Sequence, residues 1–137
     1  MVGSSSDSGS RSRVYASRRL LGSGPVKTVD LRDLVRFGPD GPTTADVFES
    51  KRFWSQLVCL ERNQQFGPVG DPDSDAVLLV VAGEVVVQVD RSRRRLDQWK
   101  AALAPAGGEV TLTNASTDPA VVLILASPPP TPRAVSG

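Results

Sequence analysis

Histidine is absent from the 137-residue chain, and that gap removes much common enzymology. No Ser-His-Asp or Cys-His nucleophile pair can form, and no His-ligated zinc, copper or non-haem iron. The side chain whose ordinary pKa lies near neutrality is missing, so proton transfer would need a strongly shifted carboxylate, Lys, Tyr or thiol. Cysteine occurs once, as Cys59, which excludes an internal disulfide, a CxxC redox pair and a four-cysteine metal site; between Val58 and Leu60 it reads as an inert buried thiol. Charge of one sign is not in excess either: 16 Lys+Arg face 15 Asp+Glu, so nothing global points to nucleic acid or an anionic membrane. The longest apolar runs, 76–82 and 120–126, fall far short of the ~20 residues of a membrane helix.

What remains describes one domain with flexible ends. Residues 1–25 hold eight Ser and four Arg (Arg11, Arg13, Arg18, Arg19) against one acid, Asp7. Such a segment buries too little surface to offset its ordering entropy and is expected to be disordered. Its Ser/Arg-rich, acid-poor character also fits an organelle transit peptide; without one, the expected location is cytoplasmic. At the other end, Pro128-Pro129-Pro130-Thr131-Pro132 leaves few amides to continue a strand. The expected domain spans residues 26–128, followed by a Pro-rich flexible tail over 129–137.

Inside those limits the signals are mostly β. Residues 29–37 form either a short helix or an extended lead-in, ended by Gly38-Pro39-Asp40-Gly41-Pro42. Strands are expected at 53–61, 76–81, 85–90, 109–114 and 120–126, with Gly83-Glu84 as a tight turn or bulge. Residues 96–103 are ambiguous. Arg91, Arg93, Arg94 and Arg95 fall in a connection between expected strands, without an aromatic stacking platform beside them. Short strands at roughly ten-residue spacing, punctuated by Gly and Pro, indicate an antiparallel sandwich or small barrel.

Two segments then resemble the paired motifs of the cupin superfamily. In 71–84, Gly83 fixes the register of the first motif, which normally carries two His and a Glu; Val69 and Asp71 stand at the His positions and Ala76 at the Glu position. In 105–114, Pro105, Gly107 and Asn114 match the second motif, with Val110 where its His belongs. The resemblance covers roughly residues 27–128. It implies an all-β, cupin-like (double-stranded β-helix, or jelly-roll) barrel, and a homodimer. It also implies a metal held by three His and one Glu, but three of those four positions here are Val or Ala. One carboxylate cannot replace several nitrogen donors, so no metal and no cofactor is expected. Cupin metalloenzymes and the His-dependent sugar-nucleotide epimerases of this fold are both disfavoured.

Alternation along strands extends the picture. With Ala76 facing inward, Leu78 and Val80 share its face, and Val110 brings Leu112. The expected lumen is lined by Val69, Ala76, Leu78, Val80, Val110 and Leu112, with Asp71 near the mouth. The strand at 53–61 adds either Trp54 and Gln56 or Phe53, Ser55 and Leu57, and Gln88 lies either inside or outside. The lumen is either an apolar pocket for a hydrophobic small molecule or filled by its own side chains. Asp71, Asp73 and Asp75 alternate like the start of a calcium loop, but Ala76 and Ala82 stand where that loop needs Gly and Glu.

Three functions are therefore weighed. The first is a metal-free, non-catalytic protein that binds a small apolar ligand or serves as a regulatory or assembly module. The second is a metal-independent isomerase, cyclase or lyase, with Asp71 as the weak catalytic candidate should burial raise its pKa. The third is partner binding through the Arg-rich arm and Arg91–Arg95.

Overall fold

The structure, a computed structural model, describes residues 26–130. The arm over residues 1–25 and the tail beyond Pro130 lie outside the described residues. A single 3-10 turn, Leu31–Leu34, precedes nine strands among the described residues. These are β1 (Thr43–Glu49), β2 (Trp54–Leu60), β3 (Gln65–Val69), β4 (Asp75–Ala82), β5 (Glu84–Val89), β6 (Ser92–Asp97), β7 (Ala101–Ala104), β8 (Val110–Thr113) and β9 (Ala120–Ser127). They build a five-stranded sheet in the order β1-β2-β9-β4-β7 and a four-stranded sheet in the order β3-β8-β5-β6. Their pairings are antiparallel. The all-β, two-sheet jelly-roll expected from the sequence is the architecture that forms.

Period-2 patterning explains the core. Val58 and Leu60 of β2, Leu78 and Val80 of β4, and Val122 of β9 point inward from one sheet. They meet Val85 and Val87 of β5 and Leu112 of β8 from the other. Each buried Val or Leu contributes about 1.5–3 kcal/mol relative to exposure. The five-stranded sheet is also covered outside, where Leu57, Cys59 and Val121 are buried beneath Leu31, Leu34 and Val35 of the lead-in. Asp30 caps the 3-10 turn by accepting the Arg32 backbone N–H.

Gly83 is neither a hairpin turn nor a simple bulge. β4 pairs with β7 and β9, whereas β5 pairs with β6 and β8, so the chain changes sheets at this residue. Its φ of 76° lies in the left-handed region, and a Cβ there would stand 2.4 Å from the Pro119 carbonyl oxygen. Only glycine meets both conditions. A register shift between Val80 and Ala82 adjoins this corner.

The Arg-rich segment corrects the sequence expectation. Arg91 does lie in the connection after β5, but Arg93, Arg94 and Arg95 belong to strand β6, an edge strand paired to β5 through Val86↔Arg95, Val87↔Arg94 and Gln88↔Arg93. Leu96 alone among its residues is not exposed. An edge strand needs a backbone that fits one neighbour, and exposed arginines are compatible with that while discouraging further pairing.

Candidate functional site

At one end the space between the sheets is not filled. Register partners run across β2, β9, β4 and β7 in levels. At the open end the level is Trp54, Ala126, Ala76 and Ala104. The next level inward is Gln56, Ile124, Leu78 and Ala102, and the one below that brings Val58, Val122 and Val80 together. Branched side chains close the barrel at depth. Three consecutive alanines leave it open above, because a methyl group cannot span the roughly 10 Å between packed sheets. The result is a cavity of about 190 Å³. From the four-stranded sheet Phe66, Val69 and Val110 complete its wall, and Gly70, Pro105, Gly108 and Pro130 form the rim with Asp71 and Ser74.

The loops at the mouth are held by backbone contacts. Gly107, at φ 90°, turns the chain so that its N–H donates to the Asp71 carbonyl oxygen at 3.0 Å. Asp71 is itself buried, and its Oδ1 accepts the Asp73 N–H at 2.8 Å. Asp75 Oδ1 accepts the Ala106 N–H at 2.8 Å. Asp71 and Asp75 of the acidic alternation 71-73-75 thus act as a turn latch and a loop latch. Ser74 Oγ donates to the Pro128 carbonyl oxygen at 2.6 Å and fixes the start of the proline run near the rim.

Of the residues singled out in the sequence, Trp54, Gln56, Val69, Asp71, Ala76, Leu78 and Val110 line the cavity. The register of β2 is settled, with Trp54 and Gln56 inside and Ser55 and Leu57 on the opposite face. Leu112 and Val80 face inward but are fully buried below the cavity. Gln88 does not reach the cavity: it alternates with the inward Val87 and Val89, and its Nε2 donates to the Asp90 carbonyl oxygen at 3.0 Å. Phe66, Ala104, Ile124, Ala126 and Pro130 join the lining without having been expected there. Alternation within 120–126 is a usable signal for Ile124 and Ala126. No comparable signal marks Phe66, whose neighbours Gly67 and Pro68 read as a turn.

Polar chemistry inside is sparse. The Ser74 hydroxyl is committed to Pro128 and the Asp71 carboxylate to Asp73. The Gln56 side-chain amide makes no hydrogen bond to any described residue. Among the described residues no Lys or Arg lines the cavity.

The positions that the motifs reserve for metal ligands, Val69, Asp71, Ala76 and Val110, do converge on this cavity. Their donor set does not fit a metal: three offer hydrocarbon, and the one carboxylate is engaged in a turn. Among the described residues no three His, Cys, Asp or Glu side chains are grouped to hold an ion. Transition-metal sites need several well-placed donors.

Asn114, the last residue of the second motif, is fully buried and structural. Its Nδ2 donates to the carbonyl oxygens of Leu60 (3.0 Å) and Asp118 (2.8 Å), and its Oδ1 accepts from the Ser116 N–H and Oγ–H. Among the described residues no helix is long and apolar enough to cross a membrane.

No family model and no curated protein matches the chain, but solved structures do. The protein TT1209 from Thermus thermophilus is 33% identical, with 77% of this chain and 100% of that one covered at a TM-score of 0.73. An RmlC-like cupin protein from Desulfovibrio desulfuricans is 22% identical, with 77% and 99% covered at a TM-score of 0.68. An uncharacterized conserved protein with a double-stranded β-helix domain from Klebsiella pneumoniae is 16% identical, with 76% and 91% covered at a TM-score of 0.71. These latter two are similar in fold. With the two motifs in register and these folds superposed, the chain belongs to the cupin superfamily, with the metal-ligand positions of its motifs replaced.

Proposed function

We propose that this cupin holds a small, mostly apolar molecule in its cavity, without a metal and without converting it. The observation that carries this reading is the cavity of about 190 Å³ whose wall, at Val69, Ala76 and Val110, is hydrocarbon. An apolar cavity of about 150 Å³ is enough to take up benzene, so the space suits a molecule of single-ring size. Few oriented polar groups against apolar walls is the usual make-up of a small-molecule site. A ligand held there leaves the protein free to act as a sensor or assembly module.

The second reading, a metal-independent isomerase, cyclase or lyase, has one observation in its favour: Asp71 is buried at the cavity rim. Its Oδ1 already serves the turn at Asp73, which favours a structural role. Turnover of any screened compound that Asp71→Asn abolishes, with binding intact, would decide for catalysis.

A thermal-shift screen of small apolar compounds against the unsubstituted chain and Ala76→Trp tests the binding reading, with metal analysis of protein prepared without a His-tag. Stabilising hits lost in a folded Ala76→Trp variant, and no stoichiometric transition metal, are expected. Hits that persist in Ala76→Trp, or a bound transition metal, would overturn the reading.

A further inference from the structure

The cavity's polar groups are unequal, and the inequality defines a ligand class. Ser74 and Asp71 are occupied by protein partners. Gln56 is different. It sits on β2 between Trp54 and Val58, one level below the alanine row, with Ile124 as its register partner on β9. Its amide carries two donors and one acceptor and meets no partner among the described residues. Among the described residues no fully buried side-chain nitrogen or oxygen lacks a partner, so the half-buried Gln56 amide is open to solvent. A ligand that hydrogen-bonds to it keeps the amide satisfied while burying its own apolar part.

Charge narrows the class further. Among the described residues no cationic side chain lines the cavity, and the Asp71 carboxylate stands at its rim. A carboxylate or phosphate ligand would lose hydration without gaining a cationic partner from the described lining. A cationic head would have to compete for a carboxylate already held by the Asp73 N–H. The volume admits a single ring and little more.

We propose that Gln56 is the recognition residue for an uncharged, single-ring-sized apolar ligand bearing one hydroxyl or carbonyl oxygen, with that oxygen placed one level below the alanine row. This rests on the cavity being a ligand site and adds the position and charge of the head group.

Titration of the full chain with benzene, phenol, benzoate and benzylammonium, followed by calorimetry and by the Gln56 side-chain amide resonance in NMR, separates the two claims. Phenol is expected to bind more tightly than benzene and to shift the Gln56 amide signal, while both ions bind at least tenfold more weakly than phenol. In Gln56→Leu, which keeps the side chain's approximate bulk, benzene binding is expected to persist and phenol binding to fall by about tenfold. Benzene binding with no phenol preference, or phenol binding that leaves the Gln56 signal unmoved, would overturn the role of Gln56 while the cavity reading stands. The signal shift needs no variant, so a misfolded Gln56→Leu does not blunt the test. Tighter binding of either ion would overturn the neutral class. No binding of benzene or phenol would remove the ligand site itself.

Discussion

Single side chains around the cavity of this cupin divide into latches and the amide of Gln56. Asp71 and Asp75 latch loop backbones at the mouth, and Asn114 does the same at the closed end of the barrel, where its Nδ2 reaches the Leu60 and Asp118 carbonyl oxygens. The sequence marks Pro105, Gly107 and Asn114 by residue type at fixed spacing, because turns and buried amides tolerate few substitutes. It cannot mark Gln56 as decisively, since a single Gln in a strand reads the same whether it faces a core or solvent. Asp30 offers a test at this scale. Its carboxylate receives the Arg32 side chain at 2.8 and 3.0 Å and the Arg32 backbone N–H, and these hold its pKa down at about 2, from an ordinary 3.8. The cap's contribution to stability is therefore complete above about pH 4 and is lost as pH falls through 2. An NMR titration should find the Asp30 midpoint near 2, moving up toward 3.8 in Arg32→Ala. A midpoint near 3.8 in the unsubstituted chain would mean that the Asp30–Arg32 pair does not persist in water.

Strands with regular apolar alternation are legible, and those whose sequence is set by other demands are not. β4, β5, β8 and β9 read directly as Val/Leu/Ile runs between turn residues. β3 contains Gly67-Pro68 and is interrupted by a register shift between Phe66 and Val69, so its sequence has no clean period. β1, on the other edge of the five-stranded sheet, mixes Thr43, Asp46 and Glu49 with few apolar residues. β6 hides behind its arginines, although an exposed edge is where charge belongs. Replacing Arg93 and Arg95 together by Val removes that guard and one exposed ion pair, Arg95–Glu84, which contributes little. Unfolding free energy is expected to change by less than about 0.5 kcal/mol, while light scattering at rising protein concentration increases through edge pairing. A variant that stays as monodisperse as the parent would show that these charges do not protect the edge.

Across the whole molecule, function turns on how the sheet levels are filled. Val and Leu seal one end of the barrel, whereas Ala76, Ala104 and Ala126 leave the other open. The histidine-free composition and the alanine row meet at the same place, since Ala76 stands both in the row and at the motif's Glu position. The sequence alone locates Ala76 but not the row, because Ala104 and Ala126 become its neighbours only through long-range pairing. Ala126→Leu should fill the gap with hydrocarbon at little cost, since the added atoms enter existing space rather than a packed core. Xenon probes the gap directly, because it enters dry apolar cavities without needing hydrogen bonds. Methyl resonances of Ala76, Leu78, Val110 and Ile124 should shift saturably under xenon in the parent chain. In a folded Ala126→Leu those shifts should vanish, with the melting temperature held or raised. Methyl signals that ignore xenon, or that respond equally in Ala126→Leu, would mean that the open end of this barrel is no binding cavity.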